Sequence, residues 1–377
     1  MIAASFAARH PGIPFYVGLA DRVDGCFDPE FEPFTVLDAD ALGLPGALRL
    51  RYEQQALSYA ATPHLLRAVL DRGHDRVLYF KQESLVTGDH APVLERLERA
   101  SIVLAPHLLQ PLDDSGRELG VLLAGTYNLG FLGLADRPPA RAFLTWWAER
   151  LATLCRHDVA HGLHFEQRWA DLVPGLFDGV EVLHEPGAVL GHWSLPERQV
   201  AVDGDAVTVD GEPCRLARFS GYDLDDPGWA TRYDRRLRTA ELGPAAELFA
   251  RFRAALLTAG HAEARAWPYA FATFTDGTPI PPAARELHAS LGERAAAFGD
   301  PFAAGGAFRR HLDEPDDELP QLTRLWAHVV RSRADVLRAY TAAGRGLDLD
   351  GLRGWASTTG RAEHALPDAF PLEVAAA

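Results

Sequence analysis

Residues 76–86 read RVLYFKQESLV. Five mostly apolar residues, Arg76 to Phe80, run straight into the polar tripeptide Lys81-Gln82-Glu83. A short apolar run bounded by turn or helix signals reads as a buried strand. Two more such runs stand on either side, PFYVGLA at 14–20 and SIVLA at 101–105. Between the first two, Thr62-Pro63 supplies a cap and a first-turn proline, Leu65, Leu66, Val69 and Leu70 follow at helical spacing, and Gly73 stops the pattern, which predicts a helix over 62–72. A second helix is expected over 91–99. Strand, helix, strand in this order predicts a doubly wound α/β layer with parallel strands, whose ligands sit beyond the carboxyl ends of the strands. Residues 81–83 lie at such an end.

Further along, Pro138-Pro139 opens a helix to about Cys155 with Phe143, Trp147, Leu151 and Leu154 on one face. That spacing makes the paired Trp146 and Trp147 core residues rather than a platform for sugar. Residues 200–216, with two β-branched runs around Asp-Gly turns, predict a hairpin. Beyond about residue 240 the pattern is helical, with Leu248, Phe249, Phe252 and Leu256 on one face and Leu322, Leu325, Trp326, Val329 and Val330 on another. The expected organisation is an α/β domain over 1–238 and a mainly helical region over 239–377. The acidic stretch DEPDDE at 313–318 is expected to be solvated surface.

The 377 residues carry a net charge of −15 and 47% apolar residues, ordinary globular usage that leaves no stretch long enough to span a bilayer. An acidic chain does not neutralise phosphates along a nucleic acid, so that class is excluded. Cys26, Cys155 and Cys214 are odd in number and widely spaced, so neither a disulfide framework nor a zinc site is expected. MIAASFAARHPG, at the start, lacks the pattern of a signal peptide, and a cytoplasmic location is the expectation. Lys81 is the only lysine, the other basic residues being arginine.

Several blocks, taken together, resemble a family of bacterial GT-A glycosyltransferases distantly similar to glycogenin-like enzymes. They are RVLYFKQESLV (76–86), SIVLAPHLL (101–109), GTYNLGFLGL (125–134), HFEQRWADLVPGLF (164–177), RFSGYD (218–223) and FTDGTPIP (274–281). The resemblance spans most of the chain in the expected order, with Tyr-Asn-x-Gly-Phe and Glu-Gln-x-Trp-x-Asp-Leu-Val-Pro its more specific parts. It implies a Rossmann-like GT-A nucleotide-sugar transferase domain with a helical carboxyl-terminal extension. It also implies transfer of a sugar from a nucleotide-diphosphate donor to an acceptor, a small molecule or glycan that the sequence does not identify.

The departures from that family are chemical. Its members usually carry Asp-x-Asp after the strand equivalent to 76–80, where the carboxylates hold a divalent cation against the donor diphosphate. Here the tripeptide is Lys81-Gln82-Glu83, and Arg218 stands where the family often has a metal-binding histidine. Cationic clamps stabilise a departing diphosphate as a metal does, so transfer without a metal or other cofactor is expected, with Lys81 and Arg218 in the cation's place. A local pair between Lys81 and Glu83 in a silent site is the structural alternative. The opening segment resembles the helix that normally follows a first strand, and Val189 and Ser194 occupy a segment where the family carries asparagines.

By resemblance, Asn128 and Gly130, with Tyr127 beside them, sit near the donor sugar, and Glu166 and Gln167 approach the reacting centre, Glu166 as general base or electrostatic stabiliser. A turn at Tyr-Asn-x-Gly and a glutamate at a helix start are the bland alternatives. His107, after the 101–105 strand, is expected to line the same cleft and meet the acceptor, or else to be a structural histidine. His157, His161 and His164 have the spacing of three ligands on a helix face, but Gly162 argues against that helix. The rival function is a catalytically silent homologue that binds a nucleotide, glycan or protein.

Overall fold

The computed structural model describes residues 1–23, 25–342 and 346–374, and the chain divides into two compact units. The first comprises Met1–Gly43 and Ser58–Pro268, the second Leu44–Leu57 and Tyr269–Ala377. The division thus differs from the expected 238/239 boundary. Its cause is visible in the packing, because Phe249 and Phe252 of the helix Ala246–Thr258 close on Phe219, with ring centroids 5.0 and 4.1 Å away.

The first unit is mixed α/β. It opens with α1 (Ile2–Arg9), then β1 (Tyr16–Gly18) paired in parallel with β2 (Thr35–Leu37). Next come α2 (Thr62–Leu70), β3 (Arg76–Phe80), β4 (Ser84–Val86), α3 (Ala91–Arg96), β5 (Ile102–Pro106), α4 (Ser115–Ala124), β6 (Tyr127–Ala135) and α5 (Pro138–Leu154). After α5 follow β7 (Val180–Val182), β8 (Val200–Asp203), β9 (Ala206–Val209) and β10 (Leu216–Arg218). Thr62 is the first residue of α2 rather than its cap, which falls on Ala61 without a side-chain bond.

The central sheet has the order β3-β6-β5-β7. The apolar runs of β3 and β5 run in the same direction, as expected, with β7 parallel to β5, while β6, which was not expected as a strand, lies antiparallel between β3 and β5. An apolar run signals burial on both faces but not direction, and every residue of β6 from Asn128 to Ala135 is buried. The GTYNLGFLGL block is therefore largely a central strand and not a turn. One core cluster joins Phe6 of α1, Val103 and Ala105 of β5 and Phe131 and Ala135 of β6.

In α5, Phe143, Leu144, Trp147 and Leu151 are buried, while Trp146 packs on Trp169 and Phe177 at 5.8 and 5.6 Å. Residues 200–213 form the expected excursion, β8 and β9 pairing antiparallel with Glu212–Pro213 as a third short strand. Among the described residues no helix is long and apolar enough to cross a membrane.

The second unit is mainly helical. Arg285, buried in the helix Pro282–Ser290, donates to the carbonyls of Leu50 and Phe271 at 2.6 Å each, which ties the helix Gly46–Arg51 to this unit. Leu322, Leu325, Trp326, Val329 and Val330 are all buried, as their spacing predicts. The acidic stretch 313–318 departs from the expectation of solvated surface at one residue. Asp316 is buried, accepts from the backbone N–H of Glu318 and Leu319, and takes a two-pronged bond from Arg331 at 2.6 and 2.9 Å.

Candidate functional site

The site is built at the carboxyl end of β3. The Lys81 amide continues the ladder by donating to the Gly130 carbonyl at 3.0 Å, which swings the chain from β3 into the 81–83 loop beside β6. The buried Lys81 carbonyl then accepts from Ser84 Oγ at 2.6 Å and from an Arg218 Nη at 3.2 Å. Arg218 reaches it because β10 pairs antiparallel with β4, placing Arg218 opposite Ser84. Residues 137 positions apart are thus joined through one turn.

The Lys81 ammonium is buried and forms a close ion pair with Glu166 Oε1. It also lies 3.7 Å from the centroid of the Tyr59 ring. Burial opposes the charge on Lys81, but the Glu166 carboxylate and the neighbouring Tyr59 and Tyr79 phenols outweigh it and push the ammonium's pKa up. Glu166 is held in turn by its backbone. Phe165 before it adopts φ +48°, a left-handed conformation rare for an aromatic residue, and the Glu166 carbonyl accepts from Trp147 Nε1 at 3.3 Å. The partner of Lys81 is therefore Glu166, 85 residues away, and not Glu83.

Arg218 is also buried, and burial lowers its pKa from the ordinary arginine value. Its guanidinium donates to Ser84 Oγ at 2.8 Å and Ser220 Oγ at 3.0 Å, while half-exposed Glu83 stands 3.8 Å away. Gly130 makes the room: a Cβ there would come within 2.3 Å of Arg218 Nε and 2.7 Å of Asn128 Oδ1. That is the physical reason for glycine in the middle of a central strand.

A neutral chain runs alongside. His107 Nδ1 faces the Gly125 carbonyl at 2.8 Å and must donate to it, so Nε2 accepts from the Asn128 amide at 3.1 Å, and Asn128 Oδ1 accepts from the Gly130 N–H at 3.0 Å. Burial lowers the His107 pKa to about 4. Both ring nitrogens of His107 are thus engaged within the protein, which differs from an acceptor-binding role, and Asn128 is buried facing His107. Gln167 bridges backbone, accepting from the Leu129 N–H at 3.3 Å and donating to the Ala124 carbonyl at 3.0 Å. Tyr127 is half-buried, and burial with Asp171 nearby raises its phenol pKa.

The three histidines His157, His161 and His164 do not share a helix. His157 and His164 face each other across a short antiparallel pair of two-residue strands, with ring centroids 5.1 Å apart, and His161 pairs with Asp158 at 2.7 Å. Among the described residues no group of three His, Cys, Asp or Glu side chains could hold a metal. At the end of β3 the donor set does not suit a divalent cation, because Glu166 is committed to Lys81, two cations flank the position, and among the described residues Glu83 is the carboxylate left beside Arg218. The sequence reading missed Tyr59, Ser84 and His192. Ser84 lay within the quoted 76–86 block, and nothing in the sequence around Tyr59 marks it. His192 is among the groups acting on His107, and burial brings its own pKa to about 4.

No family model matches the chain. The protein named "Uncharacterized protein YfnF" of Bacillus subtilis (strain 168) is 28% identical over 180 residues, 45% of this chain. The chain spans 58% of the length of that relative. A solved structure, that of the galactosyltransferase LgtC in complex with donor and acceptor sugar analogs, aligns with a TM-score of 0.36 at 17% identity, over 67% of this chain and 90% of that one.

Proposed function

We propose that the chain is a glycosyltransferase that moves a sugar from a nucleotide-diphosphate donor to an acceptor hydroxyl or amine without a bound metal. The reading rests on the sequence blocks that resemble GT-A enzymes, and the observation that carries it is the convergence of three of those blocks. Lys81, Glu166 and Arg218 meet in one buried charged cluster at the end of β3. Removing three charges from water is costly, and such clusters are weak evidence of stability alone. Function accounts for their presence better than fold does.

In this reading Lys81 and Arg218 supply fixed positive charge where the departing diphosphate gains negative charge, and Glu166 holds the ammonium in place. Glu83, loosely placed beside Arg218, is the group a phosphate displaces. Because Lys81 and Glu166 neutralise each other inside the protein, a silent homologue that binds a nucleotide or glycan is the second reading. Incubation with a panel of nucleotide sugars separates the two: release of free sugar from one donor supports the transferase. Binding of a donor with no turnover, with or without added acceptors, supports the silent homologue.

A further inference from the structure

The cations at the bottom of the cluster are committed to internal partners, which leaves open which group meets the phosphates first. The segment after β10 supplies one. Thr231 is fully buried and its Oγ1 donates to the Ser220 carbonyl at 2.8 Å, while the Arg232 amide donates to the Gly221 carbonyl at 2.8 Å. Gly221 has φ +72°, and a Cβ there would come within 2.5 Å of the Tyr233 ring. The segment is thereby folded back onto the residues that follow Arg218.

Its arginines differ in their partners. Arg235 pairs with Asp226 at 2.6 Å, Arg236 with Asp234 at 2.9 Å and Asp114 at 3.0 Å, and Arg238 covers the Trp229 ring at 4.3 Å. Arg232 is exposed, and among the described residues it forms no ion pair. It is nonetheless held, its guanidinium 5.2 Å from the Tyr233 ring centroid and donating to the Tyr233 hydroxyl at 3.2 Å. Besides Tyr233, the groups that act on it electrostatically are Glu83 and Tyr59, both of which are also among the groups that act on Arg218. A solvent-facing guanidinium offers a planar fork suited to phosphate oxygens.

We propose that Arg232 is the direct diphosphate contact of the donor site, a claim that rests on the transferase reading above. An anion arriving at Glu83 meets Arg232 from the solvent side, with Arg218 behind it.

The test is calorimetric titration of the full chain with ADP, GDP, UDP, TDP and inorganic pyrophosphate. For whichever nucleoside diphosphate binds, Arg232→Ala is expected to weaken binding tenfold or more, Arg232→Lys to fall between, and Arg235→Ala to match the wild type. The residue is exposed, so circular dichroism of the variant is expected to be unchanged. A nucleoside diphosphate that binds Arg232→Ala as tightly as wild type overturns the Arg232 claim and leaves the donor-site reading intact. Wild-type protein that binds none of the five overturns both.

Discussion

Replacing Lys81 by methionine is the sharpest perturbation of the cluster, because it keeps the stem and removes the charge. Lys81 and Glu166 are both buried, and the ammonium is held between the Glu166 carboxylate and the Tyr59 ring. Removing one partner of such a pair leaves the other as an uncompensated buried charge, at a cost of about 3–5 kcal/mol. The wild-type contribution is constant at neutral pH: the folded lysine has a pKa above its ordinary 10.5, so the stabilisation is complete below that value and lost only as pH rises through the folded one. Substituting both residues, Lys81→Met with Glu166→Leu, removes the orphaned charge and is expected to restore stability to within about 1 kcal/mol of wild type. Urea unfolding followed by circular dichroism measures all three. If the single variant lost less than about 1 kcal/mol, the pair would be solvated and the buried-cluster argument wrong. A folded double variant that releases no sugar from any donor would separate the pair's chemistry from its structural role.

Three further outcomes follow from the same packing. Gly130→Ala pushes a methyl into Arg218 Nε and Asn128 Oδ1, and is expected to cost about 1–3 kcal/mol in urea unfolding and to lower turnover, whereas Gly204→Ala, with nothing near its Cβ, costs only backbone strain. His107 and His192 have folded pKa values of about 4 against an ordinary 6.5, so the unfolded chain binds more protons between those values. Their stability contribution is present above pH 6.5 and is lost as pH falls toward 4, by up to about 3 kcal/mol for His107, which unfolding midpoints at pH 7, 5.5 and 4.5 will show. Asp316 works in the same direction at lower pH. Burial opposes its charge, but Arg331 and two backbone N–H groups outweigh it and lower its pKa to about 2. Asp316→Ala is accordingly expected to cost about 2–3 kcal/mol, read as a lowered melting temperature.

The helix over 138–154 and the buried faces around Phe249 and Trp326 were legible because apolar spacing at 3.6 residues states both the element and its buried side. The sheet was legible only in part. Strands β3 and β5 could be found from their apolar runs, but β6, antiparallel between them, was hidden because Tyr-Asn-x-Gly at its start mimics a turn. In the candidate site, quoted blocks led to Lys81, Glu166, Arg218, Asn128 and His107, and the structure brings these together. What the sequence could not show was who pairs with whom. Proximity in the chain suggested Glu83 for Lys81, whereas the turn at Phe165 and the bond from Trp147 deliver Glu166. Asp316 was hidden for the same reason, since Arg331 reaches it from a helix 15 residues later.

The central claim is that Lys81 and Arg218 do the work of a metal ion, and a chelator addresses it directly. Sugar transfer, or donor hydrolysis where no acceptor is known, is measured before EDTA, after EDTA, and after Mn²⁺ is restored. With two cations flanking the position and, among the described residues, Glu83 the one carboxylate left beside them, a divalent ion finds too few ligands to offset its dehydration, so turnover is expected to persist unchanged in EDTA. Turnover abolished by EDTA and recovered with Mn²⁺ would contradict the account.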